Sequence, residues 1–215
     1  MLKIIQNIVN LLVISCTVTL SYQNIVFDLG GVLLDDGPAQ EAMQNPNIGF
    51  DITKVTTTVF WKNWTKGLIT KNELVKKLSR ICKKEHIEWV ITKALSPHRR
   101  FINETIMVVK KLKTAGYHLY LLSNFSRDAY NIFIYNNDFF TLFDGMLFSF
   151  EVGCLKPDHK IYELLFEKHH LDPTQCLFID DTPSNISAAQ ELGMKGIVYQ
   201  RGMLNLELEQ NGIQI

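Results

Sequence analysis

The sequence has no net charge, no paired cysteines, no repeat and no low-complexity tract. Lys+Arg and Asp+Glu each number 22, so no net field recruits nucleic acid or an anionic membrane. The basic pairs (Lys76-Lys77, Lys83-Lys84, Arg99-Arg100 and Lys110-Lys111) are scattered, as on solvated helix faces. Four cysteines, Cys16, Cys82, Cys154 and Cys176, show neither CxxC spacing nor a paired Cys/His pattern. That argues against a zinc site and against a disulfide framework. His169 and His170 adjoin on a helical pattern, and adjacent helical positions do not converge on a metal. What is present is an ordinary globular composition, 47% hydrophobic and 20% charged over 215 residues. It suits one α/β domain, or a core domain carrying an insertion.

The first 23 residues stand apart. Lys3 precedes an apolar run from about Ile8 to Leu20 that is interrupted by Asn10, Ser15 and threonines. The run is short for a membrane span, which needs ~20 apolar residues, and matches a signal-peptide hydrophobic region of ~7–15. Val13-Ile14-Ser15-Cys16 also resembles a bacterial lipoprotein box, in which the cysteine is lipidated. Residues 1–23 are therefore read as a signal peptide or N-terminal extension. The protein is exported or lipid-anchored if they act as a signal, and cytoplasmic otherwise; a membrane is a partner only in the first case.

From Asn24 onward, strands and helices alternate. Ile25-Val26-Phe27 is a short apolar strand run that ends in Asp28, with Gly30-Gly31 following at once. Residues 36–97 are helical in character, with stretches through Thr56–Trp64, Lys71–Cys82 and Glu85–Ala94. Thr70 and Glu73 form a capping box. Trp61 and Trp64, at i and i+3, share a face and pack within this segment. Beyond it come a helix over Phe101–Ala115, a strand over Tyr117–Leu122 ending at Ser123-Asn124, a helix over Asp128–Tyr135 and a strand near Gly145–Phe148. A helix follows over about His159–His169, and Lys156, just before Pro157, is read as opening it with first-turn geometry. A strand over Cys176–Ile179 ends in Asp180-Asp181, a helix spans Asn185–Leu192, and a last strand covers Gly196–Tyr199. This order predicts an α/β fold, a Rossmann-like parallel sheet with helices on both faces and an inserted, small, all-helical cap. The core is residues 24–35 and 98–215, and the cap is 36–97.

Three strands end in small or acidic polar residues: Asp28, Ser123-Asn124 and Asp180-Asp181. In a parallel sheet these ends share one edge, where open α/β folds place their ligands. Acidic oxygens there suit Mg²⁺, which leans on one or two carboxylates plus substrate phosphate. A lysine, a hydroxyl and backbone amides suit a phosphoryl dianion.

On these four motifs, in order and on the expected elements, the chain resembles the haloacid dehalogenase (HAD) superfamily. The subgroup is the one whose helical cap follows the first strand. The resemblance spans about Ile25 to Ile213. It implies a phosphatase in which Asp28 is the nucleophile and forms an aspartyl-phosphate. Ser123, the Asn124 backbone and Lys156 hold the phosphoryl oxygens. The cofactor is Mg²⁺, held by Asp28, the Gly30 backbone oxygen and Asp181, with Asp180 acting directly or through water. Asn185 either supports the acidic pair or caps its helix. The substrate so implied is a small phosphorylated metabolite such as a sugar phosphate.

Gly30 departs from the pattern, because most family phosphatases carry a second Asp two residues after the nucleophile. General acid–base assistance is worth ~10²–10⁴-fold, so substrates whose leaving group needs little protonation are expected to be preferred. Gly30 also motivates an alternative, a weak or inactive relative that binds a phosphorylated ligand or a protein partner. The joint presence of Asp28, Lys156 and Asp181 argues against it. A carbon–halogen hydrolase of the same fold works without metal, and the Asp180-Asp181 pair argues against that reading.

Overall fold

A computed structural model describes residues 22–35, 53–96, 100–135 and 137–215. The reading of the N-terminal run as a signal falls on residues outside these, apart from Tyr22 and Gln23. Among the described residues no helix is long and apolar enough to cross a membrane.

Five parallel strands form one sheet: β1 (Asn24–Phe27), β2 (His118–Ser123), β3 (Gly145–Phe148), β4 (Cys176–Asp180) and β5 (Lys195–Val198), in the order β3-β2-β1-β4-β5. β1 therefore lies at the centre, paired with β2 through Phe27 and Leu121 and with β4 through Phe27 and Ile179. Successive strand side chains point to opposite faces, and both faces are covered. Ile25, Phe27, Leu119, Leu121, Leu177 and Ile179 belong to one buried cluster, while Val26, Tyr120, Leu122, Cys176 and Phe178 belong to another. The first face is covered by α5 (Asn103–Thr114), α6 (Arg127–Phe133) and α10 (Leu204–Gln210), through Val109, Leu112, Phe133 and Leu208. The second is covered by α8 (His159–His169) and α9 (Pro183–Glu191), through Ile161, Leu165 and Ile186. Two-sided burial is why these strands read as continuous apolar runs and not as alternating ones.

Between β1 and α5 lie α1 (Thr53–Thr56), α2 (Val59–Thr65), α3 (Lys71–Leu78) and α4 (Lys84–Ala94). They enclose their own apolar cluster of Val55, Trp64, Leu74, Leu78, Ile87, Val90 and Ile91. The Thr70–Glu73 capping box forms as predicted: Glu73 N donates to Thr70 Oγ1 and the Thr70 amide donates to Glu73 Oε2. Trp61 and Trp64 pack edge to face at 4.9 Å. Trp64 does more than pack, since its Nε1 donates to Asp128 Oδ2 on α6 at 2.8 Å. Ser149, which begins α7 (Ser149–Val152), donates to Thr65 O at 2.8 Å. The two connections into this helical layer pair with each other: Asp35 N donates to Arg100 O, and Ile102 N to Leu33 O. All of these contacts lie at the C-terminal edge of the sheet.

The bounds of α8 are those expected, but the structure differs from the sequence reading over the place of Lys156 and in two further helices. α8 starts at His159, capped by Asp158, whose side chain accepts from Lys160 N. Lys156 and Pro157 therefore precede the helix in a turn closed by Asp158 N donating to Leu155 O, and they are not in its first turn. The peptide bond between them is cis. The four-residue α7 and the C-terminal α10 are elements that the sequence reading did not include, the first being too short to show a period.

Candidate active site

Register brings the site together. Phe27 pairs with Ile179, so the next residues, Asp28 and Asp180, emerge side by side. Ser123 ends the neighbouring strand β2 and is 2% exposed. The turn after Asp28 is tight: Leu33 N and Leu34 N both donate to Leu29 O, and Gly31 N donates to Leu34 O. Gly31 has φ +73°, which favours glycine. A Cβ built there would also fall on the Asp181 carboxylate. This second glycine is thus part of the site's geometry.

Lys156 is the hub. Its ammonium lies 2.8 Å from Asp28 Oδ1, 2.6 Å from Asp180 Oδ2 and 2.8 Å from Leu122 O. Burying an ammonium costs several kcal/mol unless it is paired, and here three oxygens surround it. Burial works to lower the Lys156 pKa, but Asp28 and Asp180 together outweigh it and hold it above the ordinary lysine value. The Asn124 side chain fixes the backbone that carries the lysine: Lys156 N donates to Asn124 Oδ1 at 2.8 Å, and Asn124 Nδ2 donates to Lys156 O at 3.0 Å. Asn124 was expected to contribute its backbone; its side chain has this separate positioning role.

The two adjacent acids differ. Asp180 is fully buried and its oxygens are filled. Oδ1 accepts from Thr182 N and Asn185 Nδ2, and Oδ2 accepts from Lys156 Nζ and Asn185 Nδ2. Of the two roles weighed for Asn185, its side chain takes the first, supporting the acidic pair, and its own carbonyl accepts from Tyr162 Oη. Asp181 is more accessible, and burial followed by the neighbouring Asp180 charge raises its pKa.

Burial also pushes Asp28 up to about 6, with Asp180 adding to the rise and Lys156 opposing it. The Lys156 ammonium is paired with Asp28 Oδ1 at 2.8 Å, and this buried oxygen has no further partner among the described residues. Asp28, Asp180 and Asp181 bring carboxylate oxygens within 4.8 Å of one another. Three acids gathered against one lysine leave the cluster net negative. An oxygen-only donor set of this kind fits a hard divalent cation such as Mg²⁺.

Comparisons with known proteins agree with this geometry. The model of the haloacid dehalogenase-like hydrolases matches residues 22–193. D-ribitol-5-phosphate phosphatase of Bacteroides thetaiotaomicron is 26% identical over 84% of this chain and 93% of its own length. A sesquiterpene phosphatase of Aspergillus oryzae is 24% identical over 82% and 89% respectively. The chain also matches a drimenol cyclase of Aspergillus calidoustus at 22% identity, of which it spans 34%. Among solved structures, the magnesium complex of a HAD-family enzyme from Bacteroides thetaiotaomicron superposes with a TM-score of 0.65 and 26% identity, over 85% of this chain and 95% of that one. With most of its length matched and the motif residues gathered at one sheet edge, the chain belongs to the haloacid dehalogenase-like hydrolases.

Proposed function

We propose that this hydrolase is a Mg²⁺-dependent phosphomonoester phosphatase that acts on a small phosphorylated metabolite through a phosphorylated Asp28. The observation that carries this reading is the Lys156 ammonium seated between Asp28 and Asp180, with Asp181 alongside. The phosphatases among the relatives support it. Asp28 Oδ1 faces the Lys156 ammonium, whereas Asp180 is also held by Thr182 and Asn185, which leaves Asp28 the carboxylate suited to act as nucleophile. Lys156 and Ser123 receive the phosphoryl oxygens together with amides of the turn at Leu29 and Gly30. The lysine's present contact to Asp28 is the one it gives up or shares when phosphate enters, because its bonds to Asp180 and Leu122 fix its position. Asp28, the Gly30 carbonyl and Asp181 would hold Mg²⁺. Asp180, already held by Lys156, Thr182 and Asn185, would take part directly or through water. When bound, the ion offsets the repulsion between a carboxylate and a phosphate dianion.

Helices α1–α4 belong to the cap of this reading, the segment 36–97 of the sequence. No carboxylate stands at Gly30 to protonate the leaving group, so acidic leaving groups are favoured: sugar 1-phosphates, acyl phosphates and aryl phosphates over simple alkyl phosphates. The test is release of inorganic phosphate from a panel of phosphomonoesters, with and without Mg²⁺, beside Asp28→Asn. Release that requires both Mg²⁺ and Asp28 is expected. Equal release by the variant would overturn the assignment of the nucleophile.

A further inference from the structure

The zero net charge of the chain conceals a segregation. Residues 53–96 contain ten of its 22 Lys+Arg and only three of its 22 Asp+Glu, a net +7, so the remainder is −7. Taken over all of 36–97 the helical segment is still +4. Most of these cations are exposed, among them Lys54, Lys62, Lys71, Lys76, Lys83 and Lys84. Structural ion pairing accounts for little of the excess, because three acids cannot neutralise ten bases.

The placement of this charge matters as much as its size. The layer is anchored at the C-terminal edge of the sheet by Trp64 to Asp128, Thr65 to Ser149 and the paired connections at Leu34 and Phe101. The loop after α2 reaches the loop that carries the hub lysine. A Cβ at Gly153 would sit 3.8 Å from Leu68, and the charge of Lys66 reaches Cys154, two residues before Lys156. Leu68 itself is 60% exposed, so this corner is open. Beneath the layer the reaction centre sets three carboxylates against one ammonium. An anion must approach that negative centre, and the helical layer supplies the opposing field.

We propose that the helical layer is an anion-attracting wall, and that the substrate carries a second anionic group on the part that leaves, such as a carboxylate or another phosphate. This rests on the phosphatase reading and narrows its substrate class. The phosphoryl group occupies the sheet edge, so the rest of the molecule lies toward the helical layer, whose loop after α2 reaches the loop of Lys156. A neutral polyol or alkyl remainder gains nothing from that field. An anionic one gains in encounter rate and in affinity, over the ~8–10 Å across which exposed charges act at moderate salt.

The test compares two aryl phosphates of nearly equal shape, 4-carboxyphenyl phosphate and its neutral carboxamide, using the full chain with Mg²⁺. The carboxylate is expected to have the higher kcat/KM, about tenfold at low ionic strength, with a steeper fall as salt is added. Lys66→Gln/Lys71→Gln/Lys76→Gln should remove most of that preference through KM, leaving kcat and the melting temperature near those of the parent. The corresponding Lys→Arg triple variant should keep the preference. Equal kcat/KM and equal salt slopes for the two substrates would overturn the proposal. So would an undiminished preference in the Gln variant. Failure to release phosphate from either compound would instead overturn the phosphatase reading beneath it.

Discussion

The residues of the site are held by one another, and their substitution should therefore separate stability from activity. Lys156→Met leaves Asp28 and Asp180 buried without their cation, a change that costs about 3–5 kcal/mol in comparable buried pairs. The expected outcome is a large loss of melting temperature together with loss of activity. Asn185→Ala removes the donors to both Asp180 oxygens, and bonds to charged groups are worth about 1.5–3 kcal/mol. Chemical denaturation should show a loss of that order. Asp28 behaves in the opposite sense. Burial raises its pKa from 3.8 to about 6, so in the metal-free protein its contribution is fully present below about pH 3.8 and is lost as pH rises through about 6. Asp28→Asn should abolish turnover and yet remove this loss, so that between about pH 4 and pH 7 the variant's melting temperature falls less than the parent's. A stability penalty accepted at a reactive carboxylate is the expected trade between stability and function.

At the scale of elements, the helical layer is joined to the sheet by few bonds, and these can be tested apart from its internal packing. Thr70 caps α3 within an exposed capping box. Thr70→Ala should cost about 1 kcal/mol and raise amide hydrogen exchange in α3, with kcat unchanged. Trp64 belongs both to the apolar cluster of the layer and to its junction with α6. A double-mutant cycle of Trp64→Phe and Asp128→Ala should give a coupling of about 0.5–3 kcal/mol, as for residues in direct contact. The helices were legible because their signals are local, a capping box at Thr70–Glu73 and apolar spacing in α5 and α8. Lys156 was read into the first turn of α8 because it precedes a proline, whereas Asp158 supplies the helix cap. The role of Trp64 in docking could not be read, since its partner lies 64 positions away.

The whole molecule is a sheet buried on both faces, with its chemistry at one edge and a basic helical layer beside that edge. Interior substitutions should act on all of it together. Leu121→Ala, at a fully buried position of β2, should lower stability by about 2–5 kcal/mol, checked by a cooperative shift of the denaturation midpoint. Net charge was read as the absence of any field, which holds for the sum and not for the distribution. A sum over the chain is blind to which element each lysine occupies. The same limit applies to Gly31, whose need for a bare Cα follows from the Asp181 carboxylate that meets it.

By itself the sequence determined the class of fold, through apolar runs alternating with amphipathic helices, and it placed Asp28, Ser123, Lys156 and the Asp180-Asp181 pair at strand ends and the turn beyond. Those properties follow from chain-local hydrophobic patterning and turn chemistry, which act before any long-range contact forms. Only the tertiary structure decided how these residues divide the work. The pairing of Phe27 with Ile179 sets Asp28 beside Asp180. The Lys156 ammonium then lies between the two acids, while Thr182 and Asn185 donate to Asp180. Which carboxylate is held by which donors is a property of three-dimensional neighbours, and no chain-local pattern encodes it.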